Sequence, residues 1–282
     1  MHLATGVPAR HLTVLCHRAC MAPDDVDALV AELTPVIRAA SRRSLDWFRR
    51  PIEVTSKLAD GFDPVTEADR AVEDELRAAI SDRFPGHRIV GEERGTTGSG
   101  PMSWIIDPID GTRAFVSGNP LFGTLVCLRD GDEPIAGWMH LPTLDETYVG
   151  VAGRAWLDAP TGRTRLTTRT TAEVAEAIVC CTHPEMFGEP GEAAAWGRVY
   201  DSCRMTRYGG DCANYGLLAL GFVDAVVETD LAPYDIAALV PIVRGAGGVV
   251  TSRDGGDPGG GGFVVASAHP ALHDELLALV AR

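Results

Sequence analysis

The sequence predicts a layered α/β protein, with sheets held between helices. Three observations predict it. Two consecutive helical patterns open the chain, a series of strand patterns parted by tight-turn residues follows, and the second half alternates strand and helix. Strands that alternate with helices bury their sheet faces under helix layers. A length of 282 residues allows one large domain or two smaller ones. The 45% hydrophobic and 23% charged residues are ordinary globular proportions and exclude a wholly disordered chain.

The first helix is read over residues 24–50, on the spacing of Val26, Leu29, Val30, Leu33, Ile37 and Ala40, with Asp24 and Asp25 suited to its start. A loop through Gly61 follows. Pro64 then opens a second helix to about Arg83, which Pro85-Gly86 ends. Residues 87–91 are a short strand, and Trp104-Ile105-Ile106 is an apolar strand that stops at Asp107. Residues 121–129, 135–140 and 147–151, parted by Asp130-Gly131-Asp132 and Pro142-Thr143, form an antiparallel meander. Residues 155–157 and 164–167 add a hairpin. Strands at 177–181, 204–207, 223–228, 249–250 and 263–266 then alternate with helices at 192–200, 213–220, 234–244 and 271–281. The adjacent Cys180 and Cys181 suit a strand entering the core. The glycine-dense run 255–262 lacks the Lys-Ser/Thr of a phosphate-cradling loop and is read as a hairpin turn. With a boundary near 155–175, residues 23–160 form an N-terminal α+β half and residues 161–282 a C-terminal α/β half. Residues 1–22 are read as a disordered extension, with Met21 an alternative start.

Charge and cysteine content narrow the function. There are 25 Lys+Arg against 39 Asp+Glu, a net charge of −14. Such a surface argues against nonspecific nucleic-acid or anionic-membrane binding. It does not exclude a phosphorylated substrate, because bound cations reverse a local field. No apolar run reaches the roughly 18 residues of a membrane span. Seven cysteines, an odd number without a CxxC pair, point to the cytoplasm. His11, Cys16, His17 and Cys20 fit no common zinc-ligand spacing.

The most informative segment is Asp107-Pro108-Ile109-Asp110-Gly111-Thr112. Two carboxylates stand at a strand end with a proline between them. Helix capping explains one aspartate but not both. Hard divalent cations want several carboxylate oxygens, and the amides of Gly111 and Thr112 would open a short helix toward an anion. Glu92 and Glu93 taken alone read as a solvated turn. Asp69 stands in a Thr66-x-x-Asp69 capping pattern, yet shares a helical face with Val65, Val72 and Leu76. Asp235 lies near a helix start, where the helix dipole favours it, and shares a face with Leu239. Gathered together, these like charges require metal ions. None of the eight histidines looks catalytic, since each has a loop, terminal or turn reading.

Residues 104–112, Gly91-Glu92-Glu93, 63–69 and 234–237 resemble the inositol-monophosphatase superfamily, over roughly residues 24–282. Within it, the stretch 57–71, Asp110-Gly111-Thr112-Arg113-Ala114-Phe115, Gly118-Asn119-Pro120, Gly123-Thr124-Leu125 and Tyr208-Gly209-Gly210-Asp211-Cys212 are most similar to histidinol-phosphate phosphatases. The resemblance implies an αβαβα sandwich and a Mg²⁺-dependent phosphomonoesterase. It implies two or three Mg²⁺ ions held by Glu92, Asp107, Asp110, Asp235 and the Ile109 carbonyl, with Asp69 on a weaker ion. Thr112 with Glu92 would position the attacking water, Gly111 and Thr112 would hold the phosphate, and Asp211 and Glu228 would face the alcohol part of the substrate. The implied reaction is hydrolysis of L-histidinol phosphate in histidine synthesis, by a cytoplasmic homodimer without nucleic-acid or membrane partners. The rivals are an inositol-1-monophosphatase, a 3′-phosphoadenosine-5′-phosphate phosphatase, or a binding module that keeps the fold without chemistry. The last is disfavoured because no expected carboxylate is replaced. A dinucleotide-binding dehydrogenase is disfavoured because no strand is followed by the spaced glycines of that site.

Overall fold

The computed structural model describes residues 23–56, 64–151 and 153–281. The expected extension over residues 1–22, the pattern of His11, Cys16, His17 and Cys20, the start at Met21 and the loop through Gly61 lie outside the described residues. In chain order the elements are α1 (Pro23–Arg42), β1 (Thr55–Ser56), β2 (Pro64–Val65), α2 (Glu67–Arg83), β3 (Arg88–Gly91), β4 (Gly95–Thr97), β5 (Met102–Asp110) and α3 (Thr112–Ser117). The meander follows as β6 (Gly123–Asp130), β7 (Glu133–Leu141), β8 (Glu146–Val151), β9 (Arg154–Ala159) and β10 (Gly162–Arg165). The second half comprises β11 (Ile178–Cys181), α4 (Pro190–Ser202), β12 (Met205–Tyr208), α5 (Cys212–Ala219), β13 (Ala225–Leu231), α6 (Pro233–Ile236), α7 (Leu239–Gly245), β14 (Val249–Ser252), β15 (Gly262–Ser267) and α8 (Pro270–Val280).

Two large sheets result. One has eight strands in the order β10-β9-β8-β7-β6-β5-β3-β4, and the other five in the order β12-β11-β13-β15-β14. The meander is antiparallel throughout, while β3 and β5 run parallel. Alternating side chains give the eight-stranded sheet two apolar faces. Trp104, Ile106, Val126, Leu128 and Trp138 pack against Leu33, Ile37, Val72 and Leu76 of α1 and α2. Ile105, Leu125, Met139 and Tyr148 face the other way, onto Tyr215, Leu218, Ile236 and Ile242 of α5, α6 and α7. These three helices also cover Cys180, Val226, Val250 and Val264 of the smaller sheet. Its far face, with Val179, Cys181, Val227 and Val265, packs on Trp196, Val199, Leu272 and Leu276 of α4 and α8. The order is helix, sheet, helix, sheet, helix, which is the αβαβα sandwich. The adjacent cysteines of β11 are free thiols on opposite faces, and β14 and β15 pair antiparallel around the glycine-dense turn.

Five local readings need correction. Helix α1 stops at Arg42, where a short 3₁₀ turn begins. Helix α2 begins at Glu67 rather than Pro64, because the Thr66 hydroxyl accepts the Ala68 N–H at 3.2 Å and caps it; Pro64 and Val65 pair with β1 instead. Val65 is therefore not on the helical face of Asp69. The strand through Trp104 continues to Asp110, with a register irregularity between Asp107 and Asp110. The helix read over 234–244 is two helices: Pro241 has no N–H to give a carbonyl one turn back, so it sits in the first turn of a new one. His140 lies inside β7 and His273 inside α8, both buried, rather than in loops.

Glycines decide how closely the central helices approach. A Cβ on Gly137 would overlap the Ala238 carbonyl, and one on Gly150 would overlap the backbone of Pro241 and Ile242. Gly150→Ala is therefore expected to cost roughly 2–3 kcal/mol by forcing α7 off β8, read as a lower urea midpoint; an unchanged midpoint would show that the helix does not bear on that strand.

Candidate active site

The site lies where β3 and β5 end and α3, α5 and α6 begin, in a crevice of about 800 Å³ lined by Glu92, Asp107, Asp110, Gly111, Thr112, Asp211, Glu228 and Asp235. Carboxylate oxygens of Asp107, Asp110 and Asp235 lie within 4.8 Å of one another. The irregularity in β5 brings the first two onto one side, and the turn between them is fixed because the Thr124 hydroxyl donates to the Pro108 carbonyl at 2.7 Å.

Asp107 is 2% exposed, and its Oδ1 has no hydrogen-bond partner. Burial, then the negative charges of Glu92, Asp110 and Asp235, push its carboxyl well above the usual range. Asp110 is raised likewise by burial and by Asp211 and Asp235, against the pull of the Cys212 N–H, which donates to its Oδ2 at 2.7 Å. That bond makes Asp110 the group that caps α5. Asp211 occupies the N-cap position but makes no side-chain cap bond. Its backbone has a φ of 46°, in the left-handed region that side chains disfavour, and its carboxylate packs over Gly111. Burial raises it to about 6. Asp235 caps α6, its Oδ2 accepting the Ala232 N–H at 2.7 Å, so the helix-start reading holds, whereas Leu239, read on the same helical face, stands on α7.

Asp69, in the first turn of α2, is buried. Its Oδ2 accepts the N–H of Thr66 at 2.8 Å and the Thr66 hydroxyl at 2.5 Å, and burial raises its carboxyl to about 6. Its Oδ1 lies 3.4 Å from the Thr112 hydroxyl, which donates to the Ile109 carbonyl at 3.0 Å. Glu228 also lines the crevice, 2% exposed, with burial raising it to about 7. Its Oε1 accepts the Thr182 N–H and hydroxyl at 2.9 and 2.7 Å, and its Oε2 the Tyr215 hydroxyl at 2.9 Å. At the rim Arg113 Nη1 and His183 Nε2 are 3.3 Å apart.

The structure thus brings all ten sequence-predicted site residues to one crevice or its wall, with Glu92 outside the tightest three-carboxylate group. It adds groups that the sequence did not single out. Thr182, Tyr215 and Thr124 hold the site from distant segments, which no spacing in the chain reveals. Glu73, wholly buried one turn after Asp69, was visible as a charge amid the apolar positions Val72, Leu76 and Ile80.

A crevice walled by crowded carboxylates at converging strand and helix ends is suited to divalent cations. Comparison with known proteins narrows this. Residues 25–282 match the inositol monophosphatase family, and the chain belongs to it. This family of phosphatases is generally metal-dependent and acts on small phosphorylated substrates. The chain is 40% identical over 217 residues to the bifunctional phosphatase IMPL2, chloroplastic, of Arabidopsis thaliana, covering 74% of this chain and 60% of that relative's length. It is 37% identical to a histidinol-phosphatase of Mycobacterium tuberculosis, covering 76% of this chain and 83% of that protein. The solved structure of an inositol monophosphatase from Zymomonas mobilis superposes with a TM-score of 0.79 at 34% identity, covering 93% of this chain and all (100%) of that one. No helix among the described residues is long and apolar enough to cross a membrane.

Removing the Tyr215 hydroxyl takes away a donor that favours the charged form of Glu228. Tyr215→Phe is expected to raise the Glu228 carboxyl above about 7, by roughly one unit, in a carboxyl NMR titration; an unmoved titration would contradict the assigned bond.

Proposed function

We propose that the protein hydrolyses L-histidinol phosphate to L-histidinol and phosphate with Mg²⁺. The observation that carries the substrate choice is Asp211, a half-buried carboxylate that makes no cap bond and is held over Gly111. Beside the phosphate end of the crevice, it suits the cationic amine of an amino alcohol better than an uncharged polyol. The similarity to a histidinol-phosphatase supports the same reading.

The donor set fits a hard divalent cation: clustered carboxylate oxygens, one of them a buried orphan on Asp107, with the Ile109 carbonyl beside them. In this reading Glu92, Asp107, Asp110, Asp235 and the Ile109 carbonyl hold Mg²⁺, and Asp69 helps to hold a further ion. When bound, the metal supplies charge neutralisation, a more acidic water and stabilisation of the leaving alkoxide. The protein's own groups do the positioning. Thr112 and Glu92 orient the attacking water, the amides of Gly111 and Thr112 hold phosphate oxygens, and Asp211 and Glu228 orient the alcohol. Such positioning is most of what phosphoryl transfer asks of a protein. The cysteine usage supports a cytoplasmic setting, and family resemblance supports a homodimer.

Phosphate release from L-histidinol phosphate, myo-inositol 1-phosphate and 3′-phosphoadenosine 5′-phosphate, with Mg²⁺ or chelator, tests the reading. Histidinol phosphate is expected to have the highest kcat/KM, lost with chelator or in Asp110→Asn. Asp211→Ala is expected to lower kcat/KM for histidinol phosphate about tenfold more than for inositol phosphate. Equal losses would remove Asp211 from substrate choice, and preference for another ester would reject the substrate.

Metal-free Asp107 and Asp110 keep protons to higher pH than ordinary carboxylates, and Mg²⁺ must displace them. The rise in melting temperature on adding Mg²⁺ is therefore expected to grow as the pH is raised above the usual carboxylate range. A rise independent of pH would contradict the ligand assignment.

A further inference from the structure

The carboxylate of Glu73 takes no part in the reaction just described, yet it is wholly buried. It stands one helical turn after Asp69 on α2 and faces the turn between β3 and β4, from which Glu92 projects. Its Oε2 accepts the backbone N–H of Glu93 at 2.7 Å and its Oε1 that of Arg94 at 3.1 Å. Arg77 closes the arrangement. Its Nε donates to Glu73 Oε1 at 2.6 Å, while its other nitrogens reach the Gly95 carbonyl and, at 3.0 Å, the Thr97 hydroxyl on β4. Gly91 lies beneath the carboxylate, and a Cβ there would overlap it.

We infer that Glu73 is a positioning residue, which clamps the turn after β3 so that Glu92 is aimed at the Asp107 crevice before any metal arrives. The inference rests on the metal-holding role proposed above for Glu92. A buried ion pair between Glu73 and Arg77 needs only each other's charges. The two backbone bonds do something different: they fix the chain direction of the residues immediately after Glu92. The N–H of Glu92 itself is tied to the Ile106 carbonyl at 3.2 Å, next to Asp107. The turn is thus pinned on both sides of the Glu92 side chain. Partners that orient a ligand without touching the metal commonly account for 10–100-fold in metal affinity.

The test is Glu73→Gln, which keeps the shape and one acceptor oxygen but turns an NH₂ toward one of the two amides. The Mg²⁺ concentrations for half-maximal thermal stabilisation and for half-maximal activation are both expected to rise about tenfold, with kcat at saturating Mg²⁺ within about threefold of the starting protein. A folded variant with unchanged Mg²⁺ midpoints overturns the inference. Should the variant not fold, hydrogen exchange on the unaltered protein decides it. The amides of Glu93 and Arg94 are expected to be protected without metal, and protection that appears only on adding Mg²⁺ overturns it. Glu92→Gln, titrated alongside, separates the two claims. Weakening by Glu92→Gln but not by Glu73→Gln removes only the clamp. An unaltered protein whose melting temperature ignores Mg²⁺ removes the role of Glu92 and the clamp with it.

Discussion

Asp107, Asp110 and Asp235 hold carboxylate oxygens within 4.8 Å of one another. At that separation, with an effective dielectric near 20, each ionised pair repels by about 3 kcal/mol. Three such pairs approach the whole stability of an ordinary domain. Without cations the cluster is tolerable only with protons bound, which is why burial and mutual repulsion raise Asp107 and Asp110 so far. The remaining features of the site keep these groups together despite that repulsion.

They do so largely with backbone donors. The Cys212 N–H holds Asp110, the Ala232 N–H holds Asp235, and the Thr66 N–H and hydroxyl hold Asp69. Each bond is also a helix cap, so α5, α6 and α2 are stabilised by the carboxylates that their ends attract. Each cap engages Oδ2 of its aspartate. The five-layer architecture makes this convergence possible, because α5 and α6 lie between the two sheets and end beside β5. Gly137 and Gly150 let α7 close on the sheet that carries the aspartates.

Much of this was legible in the chain. The strand through Trp104, the meander and the later alternation rest on local periodicity, and the structure follows them, with the strand running on past Asp107 to Asp110. Asp107 and Asp110 stood out because two acids flank a proline at a strand end. Some misreadings were of local signals, and others concern bonds between distant segments. Thr66 moved the start of α2, and Pro241 divided a helix that looked continuous. The cap of α5 comes from Asp110, 102 residues before Cys212. Tyr215 and Thr182 were invisible as partners of Glu228, since only the fold brings their segments together. Glu73 was missed, although it stands among the apolar positions of α2, and its two amide partners lie outside that helix.

The central claim is that the carboxylate crevice is built to hold divalent cations. Crystals grown with Mn²⁺ and inorganic phosphate, with anomalous scattering recorded from the manganese, test it most directly. The account predicts manganese peaks among Asp107, Asp110 and Asp235, with Glu92 as a further ligand and phosphate beside Gly111 and Thr112. A crevice free of manganese at a concentration that supports turnover would contradict it.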